Sequence, residues 1–395
     1  MNYRYNLRIL YAFRFISSLI PAYVIERLYW EERGMTIQMV VYTEIIYALT
    51  IILLEVPTGI IADRWSRQRM LVVSALFGCT EFAILLVASE FWHFAAVVFL
   101  AGISRSASSG AESALLYDSL LHQGKASSFE THVGRLNAFD ILSAITAALC
   151  GSLLAGHYGL ELNYWISLWS AALALLLTLL LREPPVAKQT SEDLEATHSI
   201  PMMEAVRVCF RFFRGNAGVS LVLMSGMITG AAMTYIEEFW QLYAKEQYVP
   251  VYLFGVLSGA IMLLQMPGNL LAHHLVRRFN PRMLILTVCV AFAVGFTLIA
   301  TSHNVIGLAA MLMICLFTGV MEPITSGYLH HRIGSTMRAT MDSFRSLGEN
   351  VVTTAAGLGF GYFATRSDVF GGYGFIAVLC VTFLLWLIPT YRKIV

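Results

Sequence analysis

Apolar runs of about twenty residues, the length a helix needs to cross a bilayer, recur along the whole chain, and no other feature limits its fold so tightly. Twelve segments qualify: 6–26, 38–60, 70–89, 94–117, 133–156, 163–181, 217–242, 252–272, 283–302, 305–328, 338–364 and 371–390. In hydrocarbon a backbone must satisfy its own hydrogen bonds, so runs of this length predict membrane-spanning helices. The composition agrees. Hydrophobic residues make up 57% of the chain and charged ones 13%, about half the charge of a soluble domain. The expected class is an all-α polytopic membrane protein with 12 transmembrane helices. Arg14 interrupts the apolar run after Arg4 and Arg8, and no small-residue cleavage pattern follows, so that run reads as a retained first helix and not a signal peptide.

The chain also repeats itself. A shift of 210 residues carries Pro57 onto Pro267, Ala62 onto Ala272, Arg67 onto Arg277, Glu112 onto Glu322, Gly124 onto Gly334, Arg135 onto Arg345 and Gly151 onto Gly361. The expected organisation is two six-helix bundles, 1–181 and 216–395, joined by the polar tract 182–215. Within that tract Val206, Phe210 and Phe213 share one helical face and Arg207, Arg211 and Arg214 another, the pattern of an interfacial helix. With both termini inside, nineteen Lys and Arg fall on the inner face and four on the outer, so both termini are expected in the cytoplasm. A net charge of +1, with no basic cluster interleaved with aromatics, implies no nucleic-acid partner. The expected partners are the lipid bilayer, a small-molecule substrate and protons, and the chain is expected to act as a monomer.

The loop after the second span carries Gly59-x-x-x-Asp63-Arg64-x-x-Arg67. With twelve spans in two halves and a central inner-face loop, it resembles the major facilitator superfamily. Ser66 stands where that motif has its usual second glycine. The resemblance implies parallel-repeat halves about an axis along the membrane normal, with a site between them near mid-membrane. Arg105 followed by Gly110 on span four is similar to the Arg-containing motif of proton-coupled drug exporters. The Gly-Pro pair those exporters carry on span five is replaced by Ala147-Ala148-Leu149-Cys150-Gly151. In the resembled family the loop aspartate, here Asp63, clamps onto span eleven in the outward-open state, where Arg345 and the amino end of that helix are its candidate partners. Gly59, Asp63, Arg64, Arg67, Glu112, Arg135, Glu322 and Arg345 are therefore expected to form a cytoplasmic gate. Repeat symmetry groups Glu112 with Arg135 and Glu322 with Arg345. A proton-carrying role for Glu112 is the alternative.

A charge in hydrocarbon costs at least about 2.5–3.5 kcal/mol, so each buried one needs a partner or a task. Arg14, Arg105, Asp140 and Glu349 fall nearest mid-membrane on lining spans and are substrate or proton candidates; Glu81 is on a peripheral span and is expected to pair with a neighbour. Arg14 and Arg105 have Met224 and Cys315 as repeat counterparts, so their charges belong to one half alone. They either meet substrate or are neutralised by Asp140, Glu44 or Glu349. Asp140 is the first choice for a proton site, because its counterpart Asn350 cannot titrate; Glu349 is the second. Glu237 and Glu238, toward the outer end of span seven, read as a solvated face, with attraction of cations to the mouth as the alternative. Tyr235, Phe239, Trp240 and Tyr243 recur there at helical spacing, as interface anchors or cavity lining, and Tyr235 is a substrate candidate.

The function expected from these readings is secondary active transport by alternating access, as proton-coupled efflux of amphipathic compounds or drugs. A carrier of an organic anion using Arg14 and Arg105 is the alternative, and a transport-dead receptor a remote one. The chain carries no phosphate-binding loop, His-Glu-x-x-His site or nucleophile elbow, so neither ATP use nor enzyme chemistry is expected. His273-His274 and His330-His331 lack companions for a metal. No cofactor is expected beyond a proton gradient, and compact loops point to a bacterial inner membrane.

Overall fold

The structure, a computed structural model, describes residues 4–184, 215–330 and 338–390. The expected interfacial helix at 202–213 lies outside the described residues. Among the described residues twelve α-helices follow one another: α1 (Arg4–Ser17), α2 (Glu26–Glu32), α3 (Ile37–Arg64), α4 (Arg67–Val87), α5 (Phe91–Leu121), α6 (Phe129–Tyr158), α7 (Glu161–Leu180), α8 (Ala217–Glu246), α9 (Phe254–Arg278), α10 (Pro281–Thr301), α11 (Val305–His330) and α12 (Arg338–Thr390). No strand occurs among the described residues. The burial pattern inverts that of a soluble protein. Leu53, Val87, Leu176, Leu270 and Val378 stand exposed, whereas Ser119, Asn163, Ser167 and Ser225 are wholly enclosed. Such a surface is stable only against lipid.

Two helices differ from their expected spans. α12 has 53 residues, which at about 1.5 Å each is far longer than a bilayer core. Its backbone leaves helical geometry at Ser367 (φ −147°, ψ 37°) and Asp368 (φ 50°, ψ −158°), which divides it into the two spans expected at 338–364 and 371–390. The first span, expected as one helix over 6–26, is broken. α1 ends at Ser17, a 3₁₀ turn covers Pro21–Ile25, and α2 starts at Glu26. Pro21 is the cause: it has no N–H to give and disfavours helical geometry in the residue before it.

The chain folds as two compact units, each with its own packing. The first comprises Met1–Lys188 together with Val249–Gly259. In it α5 packs on α3 and α4, α7 packs on α4 and α1, and α6 packs on α1 and the Pro21–Ile25 turn. The segment Val249–Gly259 is held there because a glycine at 255 lies directly on the Ala148 carbonyl, while Ser152 Oγ donates 3.2 Å to the Tyr252 carbonyl. α6 stops at Gly159, whose φ of +84° suits a residue without Cβ. The second unit comprises Gln189–Tyr248 and Ala260–Val395; α12 packs on α8 and α10, and α11 packs on the same pair. Pro57 and Pro267, related by the 210-residue repeat, each sit inside a helix, α3 and α9.

Candidate functional site

In the first unit the functional candidates gather where the first span breaks. Ending a helix inside a membrane leaves carbonyls without partners. α6 supplies the remedy: Ser143 Oγ donates 2.5 Å to the Phe15 carbonyl, and Asp140, one turn earlier, accepts a hydrogen bond from Ser18 Oγ. On the far side of the break, Ala22 N–H donates 3.1 Å to Ser167 Oγ of α7. Arg14, in the last turn of α1, lies 3.4 Å through Nε from Glu112 Oε1 on α5. Neither atom has an aligned hydrogen bond, so the pair is held by charge rather than by a fixed bond. Glu112 is buried; its cation is Arg14, not the Arg135 that repeat symmetry grouped with it, because α1 reaches α5 at this level while Arg135 is exposed on α6. Arg105, two turns before Glu112 on α5, is exposed and makes no ion pair among the described residues. Beyond the break, on α2, Arg27 is buried against Glu44 (2.7 Å) and over the Trp30 ring.

The motif loop joins α3 to α4. The side chains of Asp63 and Arg64 lie outside the described residues, as does that of Glu322. Arg67 forms an ion pair with Asp118 of α5 and donates 3.3 Å to the Ala114 carbonyl. Ser66, in place of the motif glycine, has an extended backbone (φ 174°) that any residue adopts, and it caps α4 by accepting from Arg69 N–H at 3.2 Å. Glu183 completes the cap. It accepts from Ser66 Oγ and Gln68 N–H, both at 2.7 Å, and from Arg67 N–H at 3.2 Å. A carboxylate at a helix amino end is where the backbone dipole favours it. Asp118 and Glu183 were both missed in the sequence; the helix start after Ser66, with its need for an anion, was the available signal.

In the second unit a cavity of about 260 Å³ opens among α8, α9, α11 and α12. Its α8 wall is Gly226, Thr229, Gly230, Met233, Thr234 and Glu237, a single stripe at helical spacing. Gln265 comes from α9, Thr318, Met321 and Thr325 from α11, and Arg345 and Glu349 from successive turns of α12. Glu349 reaches over Gly230, where any Cβ would strike its carboxylate. Glu237, read from sequence as part of a solvated outer face, is instead a cavity wall hydrogen-bonded by Gln265 Nε2 at 3.2 Å. Tyr235 turns the other way. It is buried in a stack with Phe239 and Phe360 (centroids 6.4 and 5.0 Å), and its hydroxyl donates to the Thr353 carbonyl. Phe239, Trp240 and Tyr243 are likewise enclosed, so the aromatic run is core, not interface anchor or cavity lining. The tight fit of α8 on α12 draws it inward.

Comparison with known proteins places this architecture. The sequence profile described as Major Facilitator Superfamily matches residues 9–315. The multidrug resistance protein MdtG of Salmonella paratyphi C is 23% identical over 390 residues, covering 94% of this chain and 88% of that one. An uncharacterized MFS-type transporter of Bacillus subtilis, YxaM, is 22% identical over 356 residues, covering 86% and 82%. Among solved structures, the nucleoside transporter NupG superposes with a TM-score of 0.78 at 14% identity, covering 99% of this chain and 100% of its own. A D-xylose–proton symporter gives 0.65 at 12%, covering 100% and 99%. At such identities the structures speak for the fold alone, while the profile covers most of the chain. This multi-pass membrane protein belongs to the Major Facilitator Superfamily, and is a transporter and not an enzyme.

Proposed function

We propose that the chain is a proton-coupled exporter of small molecules that works by alternating access in a bacterial inner membrane, with both termini cytoplasmic. The observation that carries this reading is the polar constellation at the break in the first span: Asp140 on Ser18, beside the Arg14–Glu112 pair. Charges so placed cost folding energy and need a task. An anionic Asp140 accepts the Ser18 proton; a protonated Asp140 becomes a donor itself, so loading a proton rewrites the hydrogen bonds that hold the break together. That supplies a two-state element whose balance a proton can tip. Export as the direction is supported by MdtG, whose name is that of a multidrug resistance protein.

The gate role of Gly59, Asp63, Arg64, Arg67, Glu112, Arg135, Glu322 and Arg345 belongs to the same proposal. The Arg67–Asp118 pair supports it, as a contact that ties the motif loop to α5. For the organic-anion alternative, Arg14 is already neutralised by Glu112, which leaves Arg105 as its support. The test is the pH inside proteoliposomes as lipophilic cations, neutral drugs and organic anions are added. Substrate-dependent proton movement that vanishes in Asp140→Asn is the expected result. Proton movement retained in that variant removes Asp140 from the coupling step, and uptake of anions lost in Arg105→Gln selects the alternative.

A further inference from the structure

The cavity of the second unit has a lopsided hydrogen-bonding chemistry. Four threonines line it, and each hydroxyl has one proton to give. All four spend it on their own helix: Thr229 on the Ser225 carbonyl (2.8 Å), Thr234 on Gly230 (3.2 Å), Thr318 on Ile314 (3.0 Å) and Thr325 on Met321 (3.0 Å). What Thr229, Thr234 and Thr318 have left to face a ligand is oxygen lone pairs. Gln265 directs its amide N–H to Glu237, which leaves its carbonyl as the end with capacity for a ligand. Glu237 and Glu349 are acceptors when ionised, and the one donor-only side chain among the lining residues is Arg345. Among the described lining residues two carboxylates stand against one guanidinium, an excess of negative charge when both are ionised. The wall therefore asks for a ligand that is positive and rich in N–H donors, since a buried acceptor left unmatched costs free energy.

Size narrows the ligand further. At about 260 Å³ the space falls below the about 300–1,000 Å³ of pockets for drug-sized molecules. Gly226 and Gly230 provide part of that room: a Cβ on Gly226 would fall 2.8 Å from Thr325 Cγ2, and one on Gly230 would meet the Glu349 carboxylate. Met233 and Met321 give the apolar contact a small hydrocarbon body needs. We propose that this cavity is the binding site for a small organic cation bearing several N–H donors, of the guanidinium or primary ammonium type. The inference builds on the transporter reading above, and it concerns recognition rather than coupling.

The test is equilibrium binding to the purified full chain in detergent, with no gradient, so it answers whether or not protons are coupled. Three probes of nearly equal size separate charge from donor count: benzylguanidinium, benzyltrimethylammonium and hydrocinnamate. Benzylguanidinium is expected to bind at least about tenfold more tightly than benzyltrimethylammonium, the worth of one charge-assisted hydrogen bond, and hydrocinnamate to fail as a competitor. Glu237→Gln and Thr229→Val should each weaken benzylguanidinium severalfold and shift benzyltrimethylammonium less, in samples with unchanged melting and elution. Equal affinity for the two cations, tighter binding of the anion, or no binding of any probe overturns the proposal. So does benzylguanidinium binding that both variants leave intact. Proton coupling fails on a different result, the loss of any substrate-driven pH change in vesicles.

Discussion

Glu183 gathers three donors at the amino end of α4, and Ser66 is one of them. Losing a helix cap costs roughly 0.5–2 kcal/mol, and hydrogen bonds to a charged acceptor stand at the upper end of that range. Glu183→Ala is expected to lower the melting temperature of the detergent-solubilised protein. Ser66→Ala should do so less, and the double variant should fall short of the sum, because the two share a bond. Full additivity in thermal unfolding would mean that the cap is two independent interactions. Gly59 makes the opposite case. A Cβ there meets nothing within 4 Å, and a helical glycine costs up to about 1 kcal/mol against alanine. Gly59→Ala should therefore melt no lower than the parent, yet transport at least tenfold more slowly if the gate closes on this residue in another conformation. Unchanged transport rates would take Gly59 out of the gate. At this scale the motif singled out Arg67 and was silent about its partner. Asp118 and Glu183 meet Arg67 and Ser66 only through tertiary approach, and nothing in their own neighbourhoods announces it.

Among the elements, the first span teaches most. A hydropathy window registers only the cost of transfer to lipid, so 6–26 read as one helix despite Pro21. The break is affordable because α6 and α7 bring Ser143, Asp140 and Ser167 to the freed groups. That arrangement depends on close approach. A Cβ on Gly151 of α6 would fall 2.5 Å from the Pro21 carbonyl oxygen, and backbone cannot yield as a flexible side chain does. Gly151→Ala should cost about 1–3 kcal/mol as an overpacked contact, seen as a lower melting temperature, and should disturb coupling by pushing α6 off the turn. A variant as stable as the parent would show that the turn has slack. The twelve-span plan itself was legible because apolar length is a local property. The α8 stripe of Gly226, Thr229, Gly230, Met233, Thr234 and Glu237 was equally local and could have been read. Glycines and threonines are common in membrane helices, so only Glu237 on the same face marks this stripe as a wall.

For the molecule as a whole, the repeat sets a common frame and the charges depart from it in opposite directions. The first unit holds Arg14, Glu112 and Asp140 at a helix break, while the second holds Glu237, Arg345 and Glu349 around a cavity. Under the 210-residue shift Asp140 becomes Asn350 and Arg14 becomes Met224, whereas Glu349 answers to Phe139 and Thr229 to Leu19. Glu112 and Arg345 keep identical counterparts in Glu322 and Arg135, so the departures lie in Arg14 and Asp140 of the first unit and in Thr229 and Glu349 of the second. If proton handling and cation recognition are divided in this way, a single change should separate them. Asp140→Asn keeps the size and the hydrogen-bonding reach of the side chain but cannot take up a proton. It is expected to lose substrate-driven pH change in proteoliposomes by at least tenfold while benzylguanidinium binding to the purified protein stays within about threefold. The converse change, Glu237→Gln, should weaken binding and lower transport only in proportion to occupancy, so that saturating substrate restores proton movement. Binding lost in Asp140→Asn would mean that one unit's protonation governs the other's cavity, because a ligand's affinity falls with the fraction of molecules in the competent state.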